Sequence, residues 1–161
     1  MGQIAFAASR RPSGAFQVQN FDLKSDAAFN IGAPVKRNST ANQILEFGGG
    51  ADVTGLLGFA IGGATAGLPK AKGTYAFGTT VGVYMANEDT EYVGQIVSGD
   101  SDTVLVPAAT DLRTYGIIKS TTTGNWYIDQ GDTTNVVLTV TQLLPEINAV
   151  LFKLISTAIG V

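Results

Sequence analysis

The chain has 161 residues, 45% of them apolar and only 14% charged, with a net charge of -3. That length makes one domain that buries roughly two-thirds of the surface its unfolded chain exposes. Without cysteine there are no disulfides and no thiol chemistry, and without histidine the commonest general base and the favoured zinc ligand are missing.

The charges are unevenly placed. Residues 1–37 carry Arg10, Arg11, Lys24, Lys36 and Arg37 against Asp22 and Asp26. Residues 88–111 carry Glu88, Asp89, Glu91, Asp100, Asp102 and Asp111 and no base. Such asymmetry suits head-to-tail or arm-to-neighbour contacts, but it is too weak for direct nucleic-acid binding, which needs a clustered basic face.

Residues 1–14 read as an extended N-terminal arm: small residues, then Arg10-Arg11-Pro12-Ser13-Gly14, with Pro12 holding Arg11 extended. The basic pair follows the short apolar run, the reverse of a secretory signal, and no apolar stretch approaches the ~20 residues needed to span a bilayer. The expectation is folding in a cytosol with no membrane partner. Residues 16–19, 33–36 and 43–47 are predicted strands, the last two joined by a turn from Arg37. Residues 53–61 read as a strand in which Gly55 and Gly58 mark bulges or close backbone approach. Gly62 to Gly73 is predicted to be a loop, with Lys70 and Lys72, either mobile or ordered by a partner. Residues 80–85 and 91–97 are predicted to form a hairpin around residues 86–90. Residues 103–106 are a further predicted strand, followed by one helical turn at 108–112.

From Thr114 onward four short runs rich in β-branched and aromatic residues alternate with Gly/Asn/Asp/Thr clusters, the pattern of an antiparallel meander spanning 114–156. Residues 15–161 are thus expected to be one all-β domain, an antiparallel β-barrel or β-sandwich with at most one short helix. In the last strand Val150, Phe152 and Leu154 face one way and Leu151 and Ile155 the other. A strand apolar on both faces is deeply buried or lies at a subunit interface.

No catalytic residue emerges. Asp100 with Asp102, and Asp129 with Asp132, are the close acidic pairs, read as turn residues that bond their own backbone rather than as metal ligands or a hydrolytic pair. Gly48-Gly49-Gly50 and Gly62-Gly63 lack the Lys-Ser/Thr of a phosphate loop. Trp126 and Tyr127, adjacent in a strand, are expected to point one into the core and one to the surface. No cofactor is expected.

The tail carries a resemblance. Tyr115-Gly116, Trp126-Tyr127-Ile128-Asp129, Asp132-Thr133-Thr134-Asn135, Leu144-Pro145 and the final Val150-Leu151-Phe152 together resemble tailed-phage capsid decoration (cement) proteins. The likeness covers residues 112–154. It departs at the turn before the last strand, where the family often has Asp-Pro-Val-Gly and this chain has Leu144-Pro145-Glu146-Ile147-Asn148. The resemblance implies a non-enzymatic virion protein on the outer capsid surface, a homotrimer that bridges capsomers of the major capsid protein. Interface residues would then be Ile4, Phe6, Arg10, Arg11, Lys70, Lys72, Phe152, Leu154 and Ile159. The alternative is a tail or fibre adsorption module that binds a host glycan through Tyr84, Tyr92 or Trp126. A carboxylate hydrolase is the remaining reading.

Overall fold

In this computed structural model of the chain, residues 3–39, 43–65, 68–70 and 80–160 are described. Their fold is all-β, in two packed parts. Strands β1 (Ala7–Arg10), β2 (Val18–Leu23), β3 (Pro34–Arg37), β4 (Gln43–Glu46) and β5 (Leu56–Ala60) are followed by the small hairpin β6 (Gly63–Thr65) and β7 (Leu68–Lys70), then β8 (Thr80–Met85). Of these, β2, β4, β3, β5 and β8 close into a five-stranded barrel. Its neighbours are antiparallel except β2 and β4, which run parallel through Asp22–Gln43 and Leu23–Ile44. Phe21, Leu23, Val35, Ile44, Val81 and Val83 are all buried and belong to one continuous core. Gly58 sits where the β3–β5 register shifts, as a bulge glycine should. A Cβ there would lie 2.0 Å from the Tyr84 carbonyl oxygen, so only glycine fits.

The remaining strands are β9 (Glu91–Gly94), β10 (Ile96–Val97), β11 (Thr114–Lys119), β12 (Trp126–Asp129), β13 (Leu138–Leu144) and β14 (Ala149–Leu154). With β1 they form a seven-stranded sheet in the order β1-β9-β14-β13-β11-β12-β10. Single 3-10 turns occur at Ala109–Asp111, Pro145–Ile147 and Ser156–Ala158. Asn148 ends the second with φ 52°, a left-handed value that asparagine tolerates.

Several expected pairings differ. Residues 80–85 and 91–97 do not form a hairpin: β8 pairs with β2 and β5 in the barrel, whereas β9 pairs with β1 and β14 in the sheet. The connection instead carries the chain from one part to the other. Ala86 N–H still bonds the Leu57 carbonyl at 2.8 Å, and Asn87 Oδ1 accepts from the Thr90 N–H at 2.9 Å to make the turn. The predicted strand at 103–106 lies extended beside β10 with a 2.9 Å bond from Leu105 N–H to the Ile96 carbonyl, and is not a paired strand. Part of the expected 62–73 loop is the β6–β7 hairpin; Lys72 lies outside the described residues.

The tail is not a sequential meander, because β11 lies between β12 and β13. After β12 the chain crosses β11 at Gly116, whose N–H bonds the Asp132 carbonyl at 2.8 Å. A Cβ at Gly116 would stand 2.6 Å from the Asp132 carboxylate and 2.8 Å from the Asn135 carbonyl. Tyr115-Gly116 and Asp132-Thr133-Thr134-Asn135 are therefore two halves of one crossing.

Both faces of the sheet are covered here, so Trp126 and Tyr127 are both buried, against the expectation of one at the surface. Trp126 packs beneath the Gly48–Gly50 turn: a Cβ at Gly49 would lie 2.9 Å from the indole ring. Tyr127 donates to Asp102 Oδ1 at 3.0 Å from the other face. The last strand is buried on both faces inside the chain, with Phe152 fully enclosed.

Candidate interaction surface

Barrel and sheet meet at an aromatic cluster. Phe59 of β5 lies 5.1 Å from Phe6, 5.0 Å from Tyr92 and 5.9 Å from Phe152, ring centre to ring centre, all edge-to-face. Such contacts add about 0.5–1.5 kcal/mol each beyond their area. Burial pushes the Tyr92 hydroxyl up to about 12, and it donates to the Met85 carbonyl at 2.8 Å.

Phe59 pairs with Tyr84, and Tyr84 with Val18, so the three share the outer face of the barrel. The sheet covers only the Phe59 end. The face runs out through half-buried Tyr84 to exposed Val18 and Phe16, with Phe16 edge-on to Tyr84 at 6.2 Å and Ile61 exposed alongside. Val18, the first residue of β2, keeps 48% of its surface in solvent. Next to this strip, Ile4, Phe6, Ile31, Ile61 and Tyr84 help line a groove of about 420 Å³. Val106 and Leu112, on the connection between β10 and β11, are also exposed, at 66% and 49%.

The N-terminal segment lies on its own chain. Arg10 grips Glu91 with two bonds, at 2.6 and 3.1 Å, and Arg11 Nε donates to both Asp89 oxygens, at 3.0 and 3.2 Å. Ser13 adds its hydroxyl to Asp89, and these donors, Ser13 first, hold that carboxyl below its ordinary range. The basic start and the acidic middle of the sequence thus meet inside one molecule. Of the expected interface residues, Phe6, Phe152 and Leu154 are buried in the chain's own core, a correction that follows from the sheet being covered on both faces. Ile4 is half-buried at the groove, and Ile159 is tucked against β5, where Gly160 N–H bonds the Leu56 carbonyl at 2.7 Å. Lys70 ends β7.

The acidic pairs are structural clamps. Asp100 accepts the Thr121 N–H and hydroxyl at 3.0 and 2.6 Å, while Asp102 accepts the hydroxyls of Thr123, Ser120 and Tyr127 at 2.6, 2.7 and 3.0 Å. These bonds, led by Thr121 and Thr123, lower both carboxyls from their usual range. They tie the 100–102 loop to the 120–123 turn, rather than bonding their own backbone as expected. Asp129 and Asp132 do cap local N–H groups, of Gly131 at 2.8 Å and Asn135 at 2.8 Å. A second cavity of about 230 Å³, between the Gly48–Gly50 turn and β11, includes Lys119, Trp126, Asp129 and Asp132. There Glu46 joins Lys119 at 2.6 Å and the Trp126 indole N–H at 3.0 Å, so the polar groups are engaged with one another. Among the described residues no group of three or more acidic side chains could hold a metal ion.

Sequence reasoning missed the strip. Phe16 and Val18 looked like ordinary strand residues, and the only signal was that Gln17, Gln19 and Asn20 offer no alternative apolar face. No family model, curated protein or solved structure matches this chain.

Proposed function

We propose that the chain is a non-enzymatic structural protein that decorates the outside of a tailed-phage head, joining copies of itself to the major capsid protein. The observation that carries this reading is the exposed apolar strip of Phe16, Val18 and Tyr84 on the barrel, together with exposed Val106 and Leu112 on the connection between β10 and β11. A protein that bridges two partners needs two separate contact faces, and contiguous exposed apolar surface marks such faces. The resemblance over residues 112–154 supplies the kind of assembly. Asp89, Glu91, Asp100, Asp102, Asp129 and Asp132 are each engaged in ion pairs, caps or loop clamps. In this reading the Val106–Leu112 patch meets the capsomer and the Phe16–Val18 strip meets another copy, in a homotrimer on the virion surface.

The adsorption alternative is left with Tyr84 of its three aromatics, because Tyr92 and Trp126 are buried. The test is co-sedimentation with heads produced without this protein. Wild-type chain should saturate the heads at a fixed ratio to the major capsid protein. Leu112→Asp should weaken binding at least about tenfold, equivalent to ~1.4 kcal/mol. Wild-type chain that stays in the supernatant sinks the proposal, and retention on a glycan column instead favours adsorption.

A further inference from the structure

We infer that β1 is an exchangeable strand, and that residues 3–10 of one copy occupy, in a second copy, the place its own residues 3–10 hold here. The slot is specific for this strand. Gly94 leaves room for the Phe6 ring, since a Cβ there would stand 2.6 Å from it, and Gly32 leaves room for the Phe6 backbone at 2.7 Å. Gln95 Oε1 accepts the Ile4 N–H at 2.8 Å. At the other end Asp89 and Glu91 select the arginine pair by charge. None of these contacts depends on which chain supplies the strand.

Leaving the slot empty is costly, because it opens a cavity among Phe59, Phe152 and Tyr92 and strips the cation from a buried Glu91. Exchange keeps every one of those contacts, so it is favoured over simple detachment. The strand is also easy to release. It is an outer strand, pairs only with β9, and its register breaks between Ala8 and Arg10.

The connection to β2 has the character of a hinge. Residues 12–20 are all exposed, and the return is a turn closed by a 3.2 Å bond from Gly14 N–H to the Arg11 carbonyl. Pro12 fixes one backbone angle of that turn and has no N–H to bond there. Straightening it sends β1 away from its own barrel. In a reciprocal exchange the two hinges run past each other, and Phe16 and Val18 lie on or beside the hinge. The exchange therefore brings two apolar strips together, which accounts for their exposure in the single chain.

The natural absence of cysteine permits a direct test on the isolated full chain, independent of any capsid. Ala7 and Val93 face each other across β1 and β9, so cysteines at both positions can close a disulfide. The double variant Ala7→Cys/Val93→Cys is unfolded, refolded at low and at high concentration, oxidised and run on a non-reducing gel. Exchange predicts linked monomer at low concentration and linked dimer or trimer at high concentration. Mixed single variants A7C and V93C, refolded together, should link at several times the yield of A7C with T134C, whose site is exposed and far from the slot in sequence. Adding Val18→Asp should return that yield to the control. Linked monomer alone at both concentrations overturns the inference, as does a mixed yield equal to the control. Failure of the double variant to link at all overturns the pairing on which the inference rests.

Discussion

Phe6 is the residue on which the N-terminal strand depends. Its ring is fully enclosed between Phe59 and Phe152, at 5.1 and 5.5 Å, and rests over Gly94. Phe6→Ala should cost about 3–5 kcal/mol. For a domain of this size each kcal/mol moves the melting midpoint by roughly 2–4 °C, so calorimetry should show a fall of roughly 6–20 °C. Little loss would mean that the arm is not part of the core. Glycines act by absence of a side chain: Gly116→Ala should also lower the midpoint, because the crossing chain at Asp132 and Asn135 leaves no room for a methyl group.

At the same scale, Asp100 and Asp102 give the fold an acid sensitivity of known sign. Their carboxyls titrate lower in the folded chain than in the unfolded one. They therefore contribute stability above the ordinary carboxylate range, and lose it as pH falls through their lowered values. Denaturant midpoints measured from pH 7 down to pH 3 should decline. The decline should be shallower in Asp102→Asn, which cannot titrate; an identical pH slope would show that the loop clamp does not contribute.

Strands were legible wherever local pattern sufficed, and illegible wherever partners had to be chosen. Residues 80–85, 114–119 and 126–129 fall where the β-branched and aromatic runs place them. The false hairpin at 86–90 arose because a polar turn between two apolar runs reads the same whether the runs pair or part. The Trp126–Tyr127 expectation failed for a related reason. Alternation says that neighbours point to opposite faces, but not that the second face is open, and here the 100–102 loop and the Gly48–Gly50 turn close both. Asp129 and Asp132 cap local N–H groups as their spacing suggested, whereas Asp100 and Asp102 reach across to another loop, a contact no local spacing encodes. The strip at Phe16 and Val18 was invisible for the same reason. Its residues match a half-buried strand, and only the closed barrel leaves them on an outer face, exposed.

At the scale of the whole molecule, a barrel and a sheet share one core, and Phe16, Val18, Val106 and Leu112 all lie exposed outside it. Their exposure predicts that they can be altered independently of the fold. Leu112→Asp and Val18→Asp, both at exposed positions, should shift the melting midpoint by no more than about 2 °C, the size of an ordinary surface substitution. The first should weaken head binding and the second self-association; a variant that unfolds would place its residue in the core instead. The most direct test of the account is electron cryomicroscopy of heads assembled with and without this protein. The account predicts added density on the outer surface, into which the barrel and sheet fit with the Val106–Leu112 edge against the capsomers. Identical outer surfaces in the two reconstructions, or the added density confined to the tail, would contradict it.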